Sequence, residues 1–389
     1  MFHHLFLVFN HCLVITAFFV DAMICSNTHA QEQAFLEALQ PYVDRQELAG
    51  AVMLVANGKQ TLHAQAIGWA DRDQKQPMRI DSLFWIASQS KPMTAATLMI
   101  LVDEKRVSLD DPVKKFLPEF AGAMVTVESD SDHKLLRKPN ETMTVRHLLS
   151  HTSGLPFKSS IEEPTLDLYP LTARVKSYAM TPLESEPGEK YLYSNAGINT
   201  AARIVEVVSG KSFEEFLDER LFRPLGMNNT TFWPNEQQAA NIAKSYKPTA
   251  DKQGIEATVI TQLRYPLTDR LNRYPMPAGG LFSTASDVAR FYQMLLNQGE
   301  LDGKRILTKE SSEELTKRQT SSSLKESYGL GFNVSPNTFG HGGAYSTNTV
   351  ADRQRGLIFV WLVQHAGFKG DGSKAQEVFR TLATKTFEQ

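Results

Sequence analysis

Cysteine is nearly missing from this chain of 389 residues: Cys12 and Cys25 are the only two, and everything after position 25 is free of it. Disulfides therefore cannot hold the body together, and its stability must come from a packed core. Positive charge is not in excess either. Lys and Arg number 41 against 43 Asp and Glu, for a net charge of −2, and no dense basic block occurs. That pattern excludes a phosphate-backbone footprint, and nucleic acid is not expected as a partner. No internal repeat appears at solenoid periods. With 42% hydrophobic and 22% charged residues, a disordered polymer, a collagen-like fibre and a polytopic membrane protein are all excluded.

The one long apolar run is N-terminal. Leu5 to Val20 is interrupted only by Asn10 and His11, and Thr28-His29-Ala30 before Gln31 places small residues at the two recognition positions of a signal-peptidase site. Residues 1–30 are expected to be an export signal, with a periplasmic or extracellular product. Because His3 and His4 stand where Lys or Arg is usual, an uncleaved N-terminal membrane anchor is the alternative. Ile24 before Cys25 argues against lipidation.

Beyond that segment, Glu32 to Tyr42 has helical spacing. Ala51 to Ala56 and Thr61 to Ile67 flank Asn57-Gly58, a strong signal for a tight hairpin. Near the other end, Tyr328 to Val334, Tyr345 to Ala351 and Gly356 to Gln364 predict three more strands, and Lys374 to Phe387 a helix packed back on them. The middle is mostly helical by pattern, while Glu128 to Asn140 and Thr320 to Lys325 read as polar surface loops. The expected fold is α/β. An antiparallel sheet built from both chain ends (about 31–90 and 326–389), flanked by helices, receives an inserted, mostly helical lobe (about 91–325).

Ser88-Gln89-Ser90-Lys91 carries the first chemical signal. A serine and a lysine three residues apart share one face of a helical turn, so the amine can reach a hydroxyl that must lose its proton. Spacing alone is weak, since Ser131 to Lys134 and Ser322 to Lys325 repeat it. Only Ser88 precedes Ala95, Leu98, Met99 and Val102, which would bury one helix face, and Pro92 puts the helix start near Ser88. The competing reading makes Ser88 a simple helix cap.

Tyr193-Ser194-Asn195 is the only Tyr-x-Asn in the chain. A phenol titrates near ~10, so it can act as a base only if a cation such as Lys91 lowers that value. Asn195 can hold a substrate amide and orient the lysine. His341-Gly342-Gly343-Ala344 offers glycines that admit close backbone approach, and the Ala344 N–H could join that of Ser88 as an oxyanion hole. His365-Ala366-Gly367 matches the same short pattern less well.

With these motifs in this order, the chain resembles the penicillin-recognising serine hydrolases, the group joining class C β-lactamases, D-alanyl-D-alanine carboxypeptidases and β-lactamase-like esterases. Thr144 to Leu155, including His147 and His151, and Pro277 to Ala285 are similar to stretches that line the cleft in that family. The resemblance implies Ser88 as nucleophile, Lys91 and Tyr193 as the proton-transfer pair, and Asn195 with His341, Gly342, Gly343 and Ala344 as substrate-binding residues. No metal or organic cofactor is required. One departure matters: class C β-lactamases usually carry lysine at the place of His341, and a mostly neutral imidazole anchors a substrate carboxylate less well. The expected activity is thus acyl-enzyme hydrolysis of a small ester, amide or peptide by an esterase or D-amino-acid peptidase. A true β-lactamase is the alternative within the class, and a penicillin-binding sensor or silent scaffold the alternative outside it. His147 and His151 have a spacing that zinc could use, but the metalloprotease Glu is missing, and they read as scaffold.

Overall fold

The computed structural model describes residues 30–388. The expected export segment and both cysteines lie outside the described residues, apart from Ala30. Among the described residues no helix is long and apolar enough to cross a membrane.

Seven antiparallel strands form the main sheet: β1 (Gly50–Asn57), β2 (Thr61–Asp71), β3 (Gln76–Pro77), β4 (Asn333–Val334), β5 (Thr338–Gly342), β6 (Asn348–Asp352) and β7 (Leu357–Leu362), in the order β4-β5-β6-β7-β1-β2-β3. The two chain ends meet at its centre, where Met53 on β1 sits opposite Trp361 on β7. Both sequences are apolar without alternation, because both faces are covered. Val52, Leu54, Ala56, Ile358, Val360 and Leu362 face the helical lobe. Ala51, Met53, Val55, Phe359 and Trp361 face a second layer made by α1 (residues 30–44) and α4 (Ala375–Phe387), where Phe35, Leu39 and Phe379 fill the space.

The tight hairpin at Asn57-Gly58 forms as expected, closing through three residues with the Asn57 side-chain oxygen accepting from the N–H groups of Lys59 and Gln60. Several local expectations are corrected. The C-terminal part supplies four strands rather than three, and His341 lies within one of them instead of ahead of it. Tyr345 is no strand residue: it sits in a left-handed turn at φ 61°. Residues Val125–Ser129 and Lys134–Arg137 pair as an exposed hairpin where a loop was expected, because each strand is too polar to signal itself. Helix α2 (Ser90–Asp103) was expected to bury one face, yet all of Ser90 to Leu101 is buried, so it runs through the lobe as a central core helix.

Candidate active site

The path into α2 is fixed before the serine is reached. Phe84–Trp85 pairs with Phe282–Ser283, the Trp85 indole donates to the Gly279 carbonyl at 2.7 Å, and the Ile86 N–H bonds the Leu281 carbonyl. Ala87 then takes a left-handed φ of 47°, a strained conformation for a residue with a Cβ, and opens the 3₁₀ turn Ala87–Gln89 that carries Ser88. The Ser90 hydroxyl closes the turn by donating to the Ala87 carbonyl at 2.6 Å and accepting from the Leu281 N–H. Ser88 does not cap α2: that position belongs to Gln89, which makes no side-chain cap bond. Gln89 instead accepts from the Thr349 hydroxyl at 2.7 Å, tying the turn to β6.

Lys91, one turn on, is wholly buried. Its Nζ contacts Ser88 Oγ at 3.1 Å, Asn195 Oδ1 at 2.8 Å and the Ala278 carbonyl at 2.7 Å. Three contacts saturate an ammonium, yet burial pushes the amine well below the ordinary lysine range. Lys91 Nζ also lies 4.6 Å from the Tyr193 ring centre. Sequence reasoning expected the lysine to lower the phenol. Burial instead pushes Tyr193 upward, opposed only by a hydrogen bond with Ser88. Lysine and phenol therefore diverge from their usual order, the first becoming easier to deprotonate and the second harder.

Asn195 opens helix α3 (Asn195–Ser209), capped by the Ser194 hydroxyl, which accepts from the Gly197 N–H. One turn later Asn199 accepts from the Ala278 N–H at 3.1 Å, fixing the backbone whose carbonyl holds Lys91. His341, on β5, is buried. Its Nε2 meets the Tyr328 hydroxyl at 2.9 Å, and its Nδ1 bonds the Gly342 carbonyl. Burial first, then the nearby Lys91, push its pKa down to about 3, so the imidazole is neutral at physiological pH. Gly343 follows where only glycine fits: a Cβ would lie 2.3 Å from the Ile86 carbonyl oxygen. Strand end and nucleophile turn are thus pressed together. Ala344 starts a 3₁₀ turn there, and the first N–H groups of such a turn have no partner within it.

The structure thus brings Ser88, Lys91, Tyr193, Asn195, His341, Gly342, Gly343 and Ala344 together beside the start of α2. His365 lies elsewhere, its Nε2 accepting from the Ala49 N–H. His147 is spent on a capping box with Thr144. Sequence reasoning missed the Ala278 carbonyl and Asn199 as partners of the lysine site, and Tyr328 as the partner of His341. It had placed His151 only in the scaffold, whereas this side chain packs its ring 4.4 Å from that of Tyr193. Phe157, 45% exposed, stacks its ring 6.4 Å from that of Tyr193. The Tyr345 hydroxyl donates to the Val259 carbonyl at 2.8 Å.

The model of the Beta-lactamase family matches residues 35–383. The protein Rv1367c of Mycobacterium tuberculosis is 31% identical over 355 residues, covering 82% of this chain and 86% of its own. Esterase EstB of Burkholderia gladioli is 30% identical, with 71% of each chain covered. Among solved structures, EstCE1, described as a hydrolase with promiscuous acyltransferase activity, superposes with a TM-score of 0.74 at 24% identity, over 92% of this chain and 99% of its own. This chain belongs to the beta-lactamase family of serine hydrolases. Its antiparallel sheet and flanking helices are those of its structural neighbours.

Proposed function

We propose that Ser88 is the nucleophile of a hydrolase that forms an acyl-enzyme on small, uncharged esters or amides. The observation that carries this reading is the buried Lys91 amine, 3.1 Å from Ser88 Oγ and held by Asn195 and the Ala278 carbonyl. Lys91, depressed by burial, is the base, and Tyr193, raised by burial, is the proton donor and relay. The Ser88 proton passes to Lys91 as Oγ bonds to the substrate carbonyl carbon. The N–H groups of Ser88 and Ala344 receive the oxyanion, one such donor being worth ~10²–10³ in rate. Collapse breaks the bond to the leaving group, which takes a proton through Tyr193 from Lys91. Water then adds to the acyl-enzyme by the same path, releasing the acid and restoring Ser88.

Substrate charge follows from His341. Both its nitrogens are engaged and the ring is neutral, so it offers no cation to a carboxylate. An ester is favoured over a β-lactam, and the relative named Esterase EstB supports the same choice. The apolar run from Leu5 to Val20 and the small residues before Gln31 support export of the enzyme to the periplasm or beyond.

A fluorophosphonate probe followed by digestion and mass spectrometry, alongside turnover of a chromogenic short-chain ester and a chromogenic cephalosporin, tests the proposal. Label on the Ser88 peptide with steady ester turnover is expected. An unlabelled Ser88 in folded protein overturns the nucleophile, and stoichiometric release without turnover would make the protein a sensor. Faster cephalosporin than ester turnover would overturn the preference for uncharged substrates.

A further inference from the structure

The phenol of Tyr193 must stay within reach of Ser88, yet residues 191–194 belong to no helix or strand. No ladder holds them. Besides the Ser194 hydroxyl, which donates to the Pro156 carbonyl at 2.6 Å, what holds them is one buried side chain and its own backbone: the His151 carbonyl accepts from the Leu192 N–H at 2.8 Å, and His151 Nδ1 accepts from the Ser194 N–H at 3.1 Å. The two bonds bracket residue 193. The imidazole ring fills the space between, 4.4 Å from the Tyr193 ring on one side and 4.8 Å from the Tyr328 ring on the other. His151 reaches this place only by adopting φ 59°, the left-handed region.

We propose that His151 is a positioning residue for acyl transfer, clamping the Leu192–Ser194 stretch so that the Tyr193 phenol is held against Ser88. This rests on the reading of Ser88, Lys91 and Tyr193 given above.

The clamp needs a neutral imidazole, because only an unprotonated Nδ1 can accept from the Ser194 N–H. Its surroundings supply that: burial, then Lys91 and His341, push the group well below its ordinary range. With Nδ1 accepting, the proton sits on Nε2, which is buried and has no hydrogen-bond partner among the described residues. A buried donor without an acceptor is destabilising, by ~1–3 kcal/mol in general. A residue serving stability alone would not be placed this way. The Nδ1 acceptor and the ring stacking are what the position retains.

Two isosteres separate the ring nitrogens. In His151→Asn the amide oxygen stands where Nδ1 was and can still accept from Ser194, and asparagine tolerates a left-handed φ. In His151→Gln the amide reaches the Nε2 place and leaves the Ser194 N–H unmet. With the short-chain ester, kcat for His151→Asn is expected within ~10-fold of wild type. For His151→Gln kcat should fall ~100-fold with KM little changed, the size of loss that follows misplacement of a reacting group. Thermal unfolding of each variant is measured in parallel. Glutamine equal to or better than asparagine, a loss expressed in KM, or wild-type kcat in both would overturn the clamp. Should the glutamine variant not fold, asparagine alone decides: retention within ~10-fold supports the clamp and a ~100-fold loss overturns it. If wild type is not labelled at Ser88, the failure lies with the proposed function. If labelling is normal while the isosteres behave in the reverse order, only the role of His151 fails.

Discussion

The same four-residue pattern occurs three times in this chain, in two kinds of place. Ser131 and Lys134 flank the tip of the exposed hairpin, where the Ser131 hydroxyl donates to Asp132 at 3.0 Å, and Ser322 and Lys325 lie in an exposed loop. Lys91 is instead enclosed by α2, the start of α3 and the Pro277–Leu281 stretch, with no exposed surface. In water an ammonium keeps its proton and a serine stays a weak nucleophile. Spacing is common to all three, and burial is not. Reactivity at Ser88 is therefore a property of the low-dielectric enclosure around the amine, which the linear pattern does not encode.

The strongest way to break this contrast is to delete each serine. Ser88→Ala should lower kcat on the chromogenic ester by at least ~10⁴-fold, while Ser131→Ala and Ser322→Ala stay within about twofold. Comparable losses at all three would remove the argument from burial.

Lys91→Met should cost ~10²–10⁴ in kcat, the usual range for a general base. It also sharpens the electrostatic half of the comparison. Because the folded-state pKa of Lys91 is depressed, the unfolded chain binds an extra proton between that value and the ordinary ~10.4, so stability rises with pH across this window. Lys91 is thus a burden at low pH that fades on the alkaline side. Urea titrations of both proteins from pH 6 to 9 should show the Met variant ahead at pH 6 and its lead shrinking upward. A constant gap would mean that Lys91 titrates normally.

Smaller effects probe the rim and the frame. Phe157→Ala should reduce kcat/KM for butyrate or benzoate esters by up to ~10-fold while leaving the acetate ester almost unchanged, the outcome expected of an acyl group that lies along the exposed ring beside Tyr193. Equal losses for all three would place the acyl group elsewhere. Thr349→Val, which deletes the bond to Gln89, should lower unfolding free energy by ~1 kcal/mol in urea titrations, and kcat should change less than twofold.

Much of the site was legible because each motif is contiguous. Ser88 with Lys91, Tyr193 with Asn195, and His341 with Gly343 and Ala344 each carry their chemistry within four residues, and the apolar runs at the two ends announced the central strands. What could not be read belongs to the third dimension. The Ala278 carbonyl is a backbone group that any residue would supply. Tyr328 finds His341 across a turn and a strand, outside local periodicity. The Val125–Arg137 hairpin buries little beyond Val125, so no alternation marked it. The sign of the Tyr193 shift escapes the sequence because it is set by burial, which raises the phenol directly and does not show in the spacing of Lys91 and Tyr193.

Pairing β1 with β7 has a consequence for how activity arises in time. The nucleophile is made early, but the strand end that presses Gly343 against Ile86, and with it the Ala344 N–H, is made late. Until β5, β6 and β7 pair with β1, Ser88 thus stands without the backbone that seats Gly343 against Ile86. Assembly of the site is therefore tied to closure of the sheet, a pairing of segments far apart in sequence that is slow because loop-closure entropy is lost before the contacts form.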